Sequence, residues 1–271
     1  MSPLTLGGSQ GNAYGINEQG QVIGWSTGWW SPDSLDEVQA FVYDRIDGIR
    51  PLSLGGRFGY ATGINEAGQV IGESENEAGE LHAFLYDPET GMQTLTLGGT
   101  GGYAYNINEA GQVVGWSEDG SGAVQAFLFD PDKGIQPLSL GGYWGFGYRI
   151  NASGQVIGRS QNATGDTQAF VFDPVTGMHE LSLGGSWSDA ADINHAGQVV
   201  GYGQTANGET HAFLYDPTHG LIDLNDVVND PKGFVIQIAR FINEKGEILA
   251  ESSNSSQNKY QPLLLRLEEA P

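Results

Sequence analysis

Residues 60–99 read YATGINEAGQVIGESENEAGELHAFLYDPETGMQTLTLGG, and this stretch decides the fold because the chain repeats it. Its closing motif, Leu95-Thr96-Leu97-Gly98-Gly99, recurs as Leu-Ser/Thr-Leu-Gly-Gly from Leu4, Leu52, Leu138 and Leu181, and a degenerate copy, Leu224-Asn225-Asp226, follows. Successive copies are 48, 43, 43, 43 and 43 residues apart. A second landmark, Ile-Asn with Gly three residues after the Asn, falls at Asn17, Asn65, Asn108, Asn151, Asn194 and Asn243, which counts six units. A fixed period of this size marks an array whose units bury their apolar faces only by stacking.

Within the quoted stretch, Tyr60 to Asn65 predicts strand a, Gln69 to Ser74 strand b, Leu81 to Asp87 strand c and Met92 to Leu97 strand d. The turns at Asn65-Glu66-Ala67-Gly68, Asn76 to Glu80 and Asp87-Pro88-Glu89-Thr90-Gly91 each start on a short polar side chain and close on or next to a glycine, the chemistry of a bulged hairpin. Short strands joined this way give a four-stranded antiparallel meander. The sixth unit supplies strands a (Ile236 to Asn243), b (Glu247 to Ser252) and c (Gln261 to Leu267) but no d, while a spare strand d, Pro3 to Leu6, opens the chain. The expectation is an all-β, six-bladed β-propeller with four antiparallel strands per blade, the N-terminal strand closing the last blade and leaving no free edge. It treats residues 1–271 as one domain, with units at about 9–54, 57–97, 100–140, 143–183, 186–224 and 225–267, the last completed by 2–8. A parallel solenoid would instead require capping units.

Composition agrees. The 42 glycines among 271 residues are about double the ordinary share of roughly 7%, which suits a turn every ten residues and makes helix unexpected anywhere. A net charge of -22 with only 11 Lys and Arg opposes nucleic acid and anionic membrane surfaces. The chain has no cysteine, which excludes disulfides and thiol chemistry, and no apolar run nears the roughly 18 residues of a membrane helix. Membrane insertion is therefore not expected. Met1-Ser2-Pro3-Leu4 lacks the basic and apolar regions of a signal peptide, so export would need a leader outside this sequence.

The segments Leu81-His82-Ala83-Phe84-Leu85-Tyr86-Asp87-Pro88 and Thr210-His211-Ala212-Phe213-Leu214-Tyr215-Asp216-Pro217, with variants at Gln39-Ala40-Phe41, Gln125-Ala126-Phe127 and Gln168-Ala169-Phe170, resemble the signature of the extracellular HAF-repeat family of bacterial proteins. The likeness covers nearly the whole chain, the sixth unit departing from it. It implies an exported, extracellular or periplasmic protein and transfers no catalytic residue.

A functional face is expected where the d-to-a and b-to-c connections lie, because the segments there vary: Ser9-Gln10-Gly11-Asn12, Arg57-Phe58-Gly59-Tyr60, Tyr143-Trp144-Gly145-Phe146 and Ser186-Trp187-Ser188-Asp189. All six tryptophans map there, Trp25 and Trp116 ending b strands, Trp29 and Trp30 in an inserted b-to-c loop, Trp144 and Trp187 in d-to-a loops. Tyr14, Tyr105 and Tyr148 share one position on the innermost strand. Such aromatics suit a platform for sugars, or plugs between blades. The b-strand position of Trp25 reads Glu73, Trp116, Arg159, Tyr202 and Glu251 in the other units. This absence of repetition argues for one asymmetric site. Arg57, Arg149, Arg159 and Arg240 gather at the same end, with Asp192 on the innermost strand, and would bind an anionic or hydroxyl-rich ligand through guanidinium forks. They would otherwise form internal ion pairs, Arg149 with Asp192 and Arg159 with Glu73.

The function expected is that of an exported propeller binding or processing a carbohydrate. As a hydrolase it would draw a carboxylate pair from Glu73, Asp189, Asp192 and Glu251. As a uronic-acid lyase it would use Tyr148 or Tyr105 as base and Arg149, Arg159 or Arg240 to neutralise the sugar carboxylate. The alternative is a non-catalytic scaffold with a protein partner. No cofactor is expected. His82 and His211 read as hydrogen-bonding scaffold, and Asp44, Asp87, Asp130, Asp173 and Asp216 read as turn residues satisfying their own backbone rather than metal ligands.

Overall fold

The Leu-Ser/Thr-Leu-Gly-Gly motif joins one sheet to the next, and its chemistry is plain at Ser53 in the computed structural model, which describes residues 4–28, 37–228, 234–254 and 259–266. Ser53 Oγ accepts the Gly55 N–H (3.0 Å) and donates to the Gly56 carbonyl (3.3 Å), while Ser74 Oγ accepts the Leu54 N–H (3.0 Å). Gly55 sits at φ 106°, a conformation open to glycine alone among common residues. The chain thus turns sharply and pairs again at once.

In chain order, β1 (Gly7–Ile16), β2 (Val22–Gly28), β3 (Val38–Asp44) and β4 (Gly48–Leu52) make the first repeat. β5 (Gly55–Ile64), β6 (Val70–Asn76), β7 (Leu81–Asp87) and β8 (Gly91–Leu95) make the second, and β9 (Gly98–Ile107), β10 (Val113–Asp119), β11 (Val124–Asp130) and β12 (Gly134–Leu138) the third. β13 (Gly141–Ile150), β14 (Val156–Asn162), β15 (Thr167–Asp173) and β16 (Gly177–Leu181) follow, then β17 (Gly184–Ile193), β18 (Val199–Thr205), β19 (Thr210–Asp216) and β20 (Gly220–Asp223). After a helical turn, α1 (Leu224–Val227), come β21 (Val235–Ile242), β22 (Ile248–Asn254) and β23 (Lys259–Leu265). Within a repeat, consecutive strands pair antiparallel, as in β5–β6–β7–β8. No helix among the described residues is long and apolar enough to cross a membrane.

Three features depart from the sequence reading. The variable d-to-a segments are not loops but the first halves of β5, β13 and β17, so Arg57, Trp144 and Trp187 are strand residues and Trp25 and Trp116 stand mid-strand. The cause is the early restart at Gly-Gly, held by side chains across the ladder: Arg57 N–H donates to Glu75 (2.6 Å), Tyr143 N–H to Gln161 (3.1 Å) and Ser186 N–H to Gln204 (3.2 Å). Helix does occur, at α1, because the sixth repeat lacks Gly-Gly and Asp223 caps the turn by accepting the Asn225 N–H (2.9 Å). Finally, Leu4–Leu6 lie outside any strand, and the sheet β21–β22–β23 has three strands among the described residues. Pro3 and Leu267, the outer ends of the expected strands, are outside them.

The chain divides into two compact units, residues 1–137 with Phe146–Tyr148, and Leu138–Gly145 with Arg149–Pro271. In the first, Ile23, Ala40, Val42 and Leu52 pack on Ala61, Val70, Phe84 and Tyr86, and Ile71, Ala83, Leu85 and Leu95 pack on Ala104, Val113, Phe127 and Phe129. In the second, Ile157, Ala169, Val171 and Leu181 meet Ala190, Val199 and Phe213, while Val200, Ala212 and Leu214 meet Ile236, Ala239 and Ile248. Face-to-face stacking of successive sheets is thus the source of the core in each. Phe41, Phe84, Phe127, Phe170 and Phe213 are fully buried, each burial contributing about 1.5–3 kcal/mol. Room for the ring comes from the b-strand glycine: a Cβ on Gly115 would lie 1.9 Å from the Tyr103 carbonyl oxygen and 3.0 Å from the Phe127 ring.

The repeated Asn is both a turn residue and a bolt between sheets. Buried Asn65 accepts the Gln69 N–H (3.0 Å) and donates to the Gln69 side chain (2.7 Å) and to the Asn108 carbonyl of the next repeat (3.1 Å). Gln69 then donates to Asp87 (2.8 Å), whose other oxygen accepts the Glu89 and Thr90 N–H groups (2.8 and 3.0 Å). These turn carboxylates are therefore occupied by their own backbone and by glutamine. His82 and His211 likewise lie against Glu80 (3.4 Å) and Asp223 (2.5 Å).

Candidate functional site

The register explains which variable residues meet. The b-strand position that does not repeat stands opposite the a-strand residue five before the repeated Asn: Trp25 opposite Asn12, Glu73 opposite Tyr60, Trp116 opposite Tyr103, Tyr202 opposite Asp189 and Glu251 opposite Ile238. Three residues before the same Asn, the strand carries Tyr14, Thr62 and Tyr105 in the first three repeats. Both positions lie in strands, so their side chains are fixed by the ladder rather than by loops.

In the first unit an open cavity of about 550 Å³ is lined by Tyr14, Tyr60, Thr62, Glu73, Tyr103 and Tyr105. Tyr103 and Tyr105 lie 4.8 Å apart by ring centroid, and Tyr148 meets Tyr105 edge-on at 5.9 Å. Trp25 flanks the cavity, its indole N–H donating to Tyr14 Oη (2.8 Å) and its ring meeting Tyr60 edge-on at 6.1 Å. Thr62 Oγ1 donates to the Ala104 carbonyl (2.9 Å). Among the described residues Glu73 has neither a hydrogen-bond nor an ion-pair partner, and burial raises its carboxyl above the ordinary value. Burial, then the nearby Glu73, raises the Tyr103 hydroxyl too. Trp116 packs on Phe146 at 6.2 Å. Arg57, exposed on β5, lies 3.6 Å from Glu37. Trp29 and Trp30 lie outside the described residues.

The second unit carries the other three arginines, Arg149, Arg159 and Arg240, and each faces a carboxylate. Arg149 Nε lies 3.6 Å from Asp192 and donates to the Ala191 carbonyl (3.2 Å), while Asp192 accepts the Ile242 N–H (3.1 Å). Arg240 forks onto Glu251 (2.5 and 3.3 Å), which lowers the Glu251 carboxyl through that hydrogen bond. Arg159 takes Asp189 as its carboxylate (3.7 Å), where the sequence pairs it with Glu73, and lies 5.8 Å over the Trp144 ring. Burial raises the Asp189 carboxyl although Arg159 opposes the shift. Tyr202 stands beside Asp189, Arg159 and Arg240 and meets Trp187 edge-on at 5.9 Å.

Sequence reasoning missed Tyr60, Thr62 and Tyr103 as lining residues. The signal for Tyr60 and Tyr103 was the cross-strand partner of the variable b-strand position, which needs the ladder register and not only the repeat. Thr62 holds the innermost-strand position of Tyr14 and Tyr105 and was open to the repeat alone. Of the four expected acids only Glu73 lines the cavity, and none of the arginines does.

Residues 141–262 match a family described as protein of unknown function (DUF3466), a match over less than half of the chain. No curated protein is similar to the chain. Among solved structures it resembles Porphyromonas gingivalis dipeptidyl peptidase 4 (14% identity, 86% of this chain and 40% of that one, TM-score 0.51). It also resembles a Mycobacterium tuberculosis puromycin-hydrolyzing peptidase (12% identity, 98% and 45%, TM-score 0.50) and, at TM-score 0.44, TolB from Acinetobacter baumannii (14% identity, 90% and 63%). The chain spans less than two thirds of the length of each of these proteins. At such identities the likeness is one of fold, and the first two matches define the class: an all-β, propeller-like protein.

Proposed function

We propose that this protein is a six-bladed propeller, acting outside the cytoplasm, that binds a saccharide in the tyrosine-walled cavity of its first three repeats. The observation that carries the reading is the cavity itself: four tyrosines, a threonine and one carboxylate around about 550 Å³. That size falls within the roughly 300–1,000 Å³ of small-molecule sites. Aromatic faces take the C–H surface of a sugar ring, and phenol, hydroxyl and carboxylate groups take its hydroxyls. Binding is favoured over cleavage because a hydrolase needs two carboxylates about the scissile bond and, among the described residues, the lining offers Glu73 alone. The lyase reading needs a cation against a uronate, and the arginines of the second unit already face carboxylates. An exported location, as the likeness to HAF repeats implies, suits a glycan ligand. Six blades are supported by six Asn landmarks and by the stacking of successive sheets within each unit.

Titration with a panel of neutral, uronic and amino oligosaccharides, followed by tryptophan fluorescence, tests the proposal, since Trp25 is bonded to Tyr14 of the lining. A saturable shift that disappears in Tyr60→Ala and Tyr103→Ala, both still folded, is the expected result. Binding unaffected by those changes, or no binding across the panel, would move the function to the second reading, a protein-interaction propeller. One observation favours that alternative: the paired arginines, whose removal in Arg159→Ala would then lower stability and leave every ligand response unchanged.

A further inference from the structure

The cavity of the first unit pairs a carboxylate that has no partner among the described residues with walls made almost wholly of tyrosine, and this combination selects charge as well as shape. Glu73 projects from β6 opposite Tyr60. Tyr14 approaches from β1, Thr62 from β5 beside Tyr60, and Tyr103 and Tyr105 from β9, so no cationic side chain of the described residues lines the space with Glu73. Glu73 is half-buried, and a carboxylate partly withdrawn from water gains from a cationic partner. Tyrosine faces present the negative side of the ring quadrupole, which attracts a cation and not an anion. The whole chain, at a net charge of -22, adds a field that draws cationic ligands and repels uronates.

From this geometry we propose that the saccharide taken by the cavity is a protonated amino sugar, its ammonium group seated against Glu73 and its ring against the tyrosines. The proposal rests on the saccharide reading above and narrows it. The burial that makes the charged form of Glu73 costly in the empty cavity is offset when the ligand brings the opposite charge.

Four probes separate the possibilities at neutral pH: a β-linked glucosamine oligomer, its fully N-acetylated counterpart, a neutral β-glucan oligomer of equal length, and tetramethylammonium. The glucosamine oligomer is expected to bind at least about tenfold more tightly than the other two sugars, the scale of a hydrogen bond to a charged partner. Glu73→Gln, checked for folding by circular dichroism, should erase that preference. Tyr103→Leu should weaken the amino sugar with the carboxylate still present. Equal binding of acetylated or neutral sugar would overturn the charge selection and leave the saccharide reading standing. Binding of tetramethylammonium with no sugar response, or silence from all four probes, would overturn both. Retained preference in Glu73→Gln would remove Glu73 as its cause.

Discussion

Ser188 and Gly203 exchange the places that glycine and serine hold elsewhere. In the second and third repeats the a-strand glycine lies opposite the b-strand serine, Gly59 opposite Ser74 and Gly102 opposite Ser117, whereas Ser188 lies opposite Gly203. The space admits one hydroxymethyl group, since a Cβ added at Gly203 would stand 2.6 Å from Ser188 Cβ. Ser188 Oγ uses the place fully: it accepts the Ala169 N–H (2.8 Å), and its one O–H has two acceptors in reach, Gln168 Oε1 (2.7 Å) and the Leu181 carbonyl (2.6 Å). Gly203→Ser should therefore destabilise by about 1–3 kcal/mol through overpacking. Adding Ser188→Gly should recover most of that loss, because the introduced hydroxyl would then meet the Leu183 N–H as Ser74 meets that of Leu54. A double-mutant cycle by urea unfolding reads the coupling, and simple additivity would sink the idea. The repeat made both positions visible in the sequence. Their exchange was not legible, because a serine and a glycine each look unremarkable until the register places them face to face. The same limit hid Tyr60 and Tyr103, and it gave Arg159 the wrong carboxylate.

At the scale of elements, the a-to-b turn of each of the second to fifth repeats is fastened to the c-to-d turn by a glutamine. Gln69 reaches Asp87, Gln112 reaches Asp130, Gln155 reaches Asp173 and Gln198 reaches Asp216, at 2.8–3.0 Å. Hydrogen bonds from these glutamines lead the causes that lower the Asp87, Asp130 and Asp173 carboxyls. For Asp216 burial pushes upward, but the bonds from Gln198, the Thr218 and His219 N–H groups and the His219 ring outweigh it and hold the group at about 2, against 3.8 when unperturbed. A carboxyl depressed on folding adds stability that is complete above its unfolded value and lost as pH falls toward its folded one. Melting temperature should accordingly drop most steeply between about pH 4 and pH 2. Gln198→Leu should soften that slope by raising the Asp216 carboxyl toward its unfolded value. An unchanged acid limb in the variant would show that Gln198 does not set it. In the second repeat strand c matches the sequence reading to its ends, Leu81 to Asp87 being β7, because an Asp-Pro turn and an apolar run bound it. In the sixth, expected over Gln261 to Leu267, β23 starts two residues earlier and ends at Leu265. Strand a was read five residues short, because Gly-Gly looks like a loop until the bulged ladder beyond it is seen.

For the whole molecule, the repeat and the stacking of successive sheets within each unit were legible in the sequence, and closure into a propeller is a proposal for experiment. Thr5 and Leu6 attach to the first repeat as Ser53 and Leu54 attach to the second: Thr5 Oγ1 accepts the Gly7 N–H (3.1 Å) and Ser26 Oγ accepts the Leu6 N–H (3.1 Å). In the second case the preceding residues are the fourth strand of the neighbouring sheet, with Leu52 opposite Ala40. Among the described residues the sixth sheet leaves the matching edge, β23, open, and Pro262, opposite Glu251, holds the place that Ala83, opposite Glu73, holds in the second. Closure of the proposed propeller through the segment 2–8 would set Leu4 opposite Pro262, by analogy with Leu95 opposite Ala83 in the second repeat. It would also account for apolar surface in the first and last repeats. Ile16 is 69% exposed, and Leu249 and Leu264 are 43% and 60% exposed, where their second-repeat counterparts Ile71 and Leu85 are buried. Because the chain has no cysteine, Leu4→Cys with Pro262→Cys offers a single disulfide. Mild oxidation should yield a cross-linked monomer that migrates faster without reductant and is more stable by about 2–4 kcal/mol, the loop closed being long. Free thiols after oxidation would refute closure through this strand. Cross-linked dimers would show that the edge of β23 takes the first strand of a second copy, making the open ends an assembly surface.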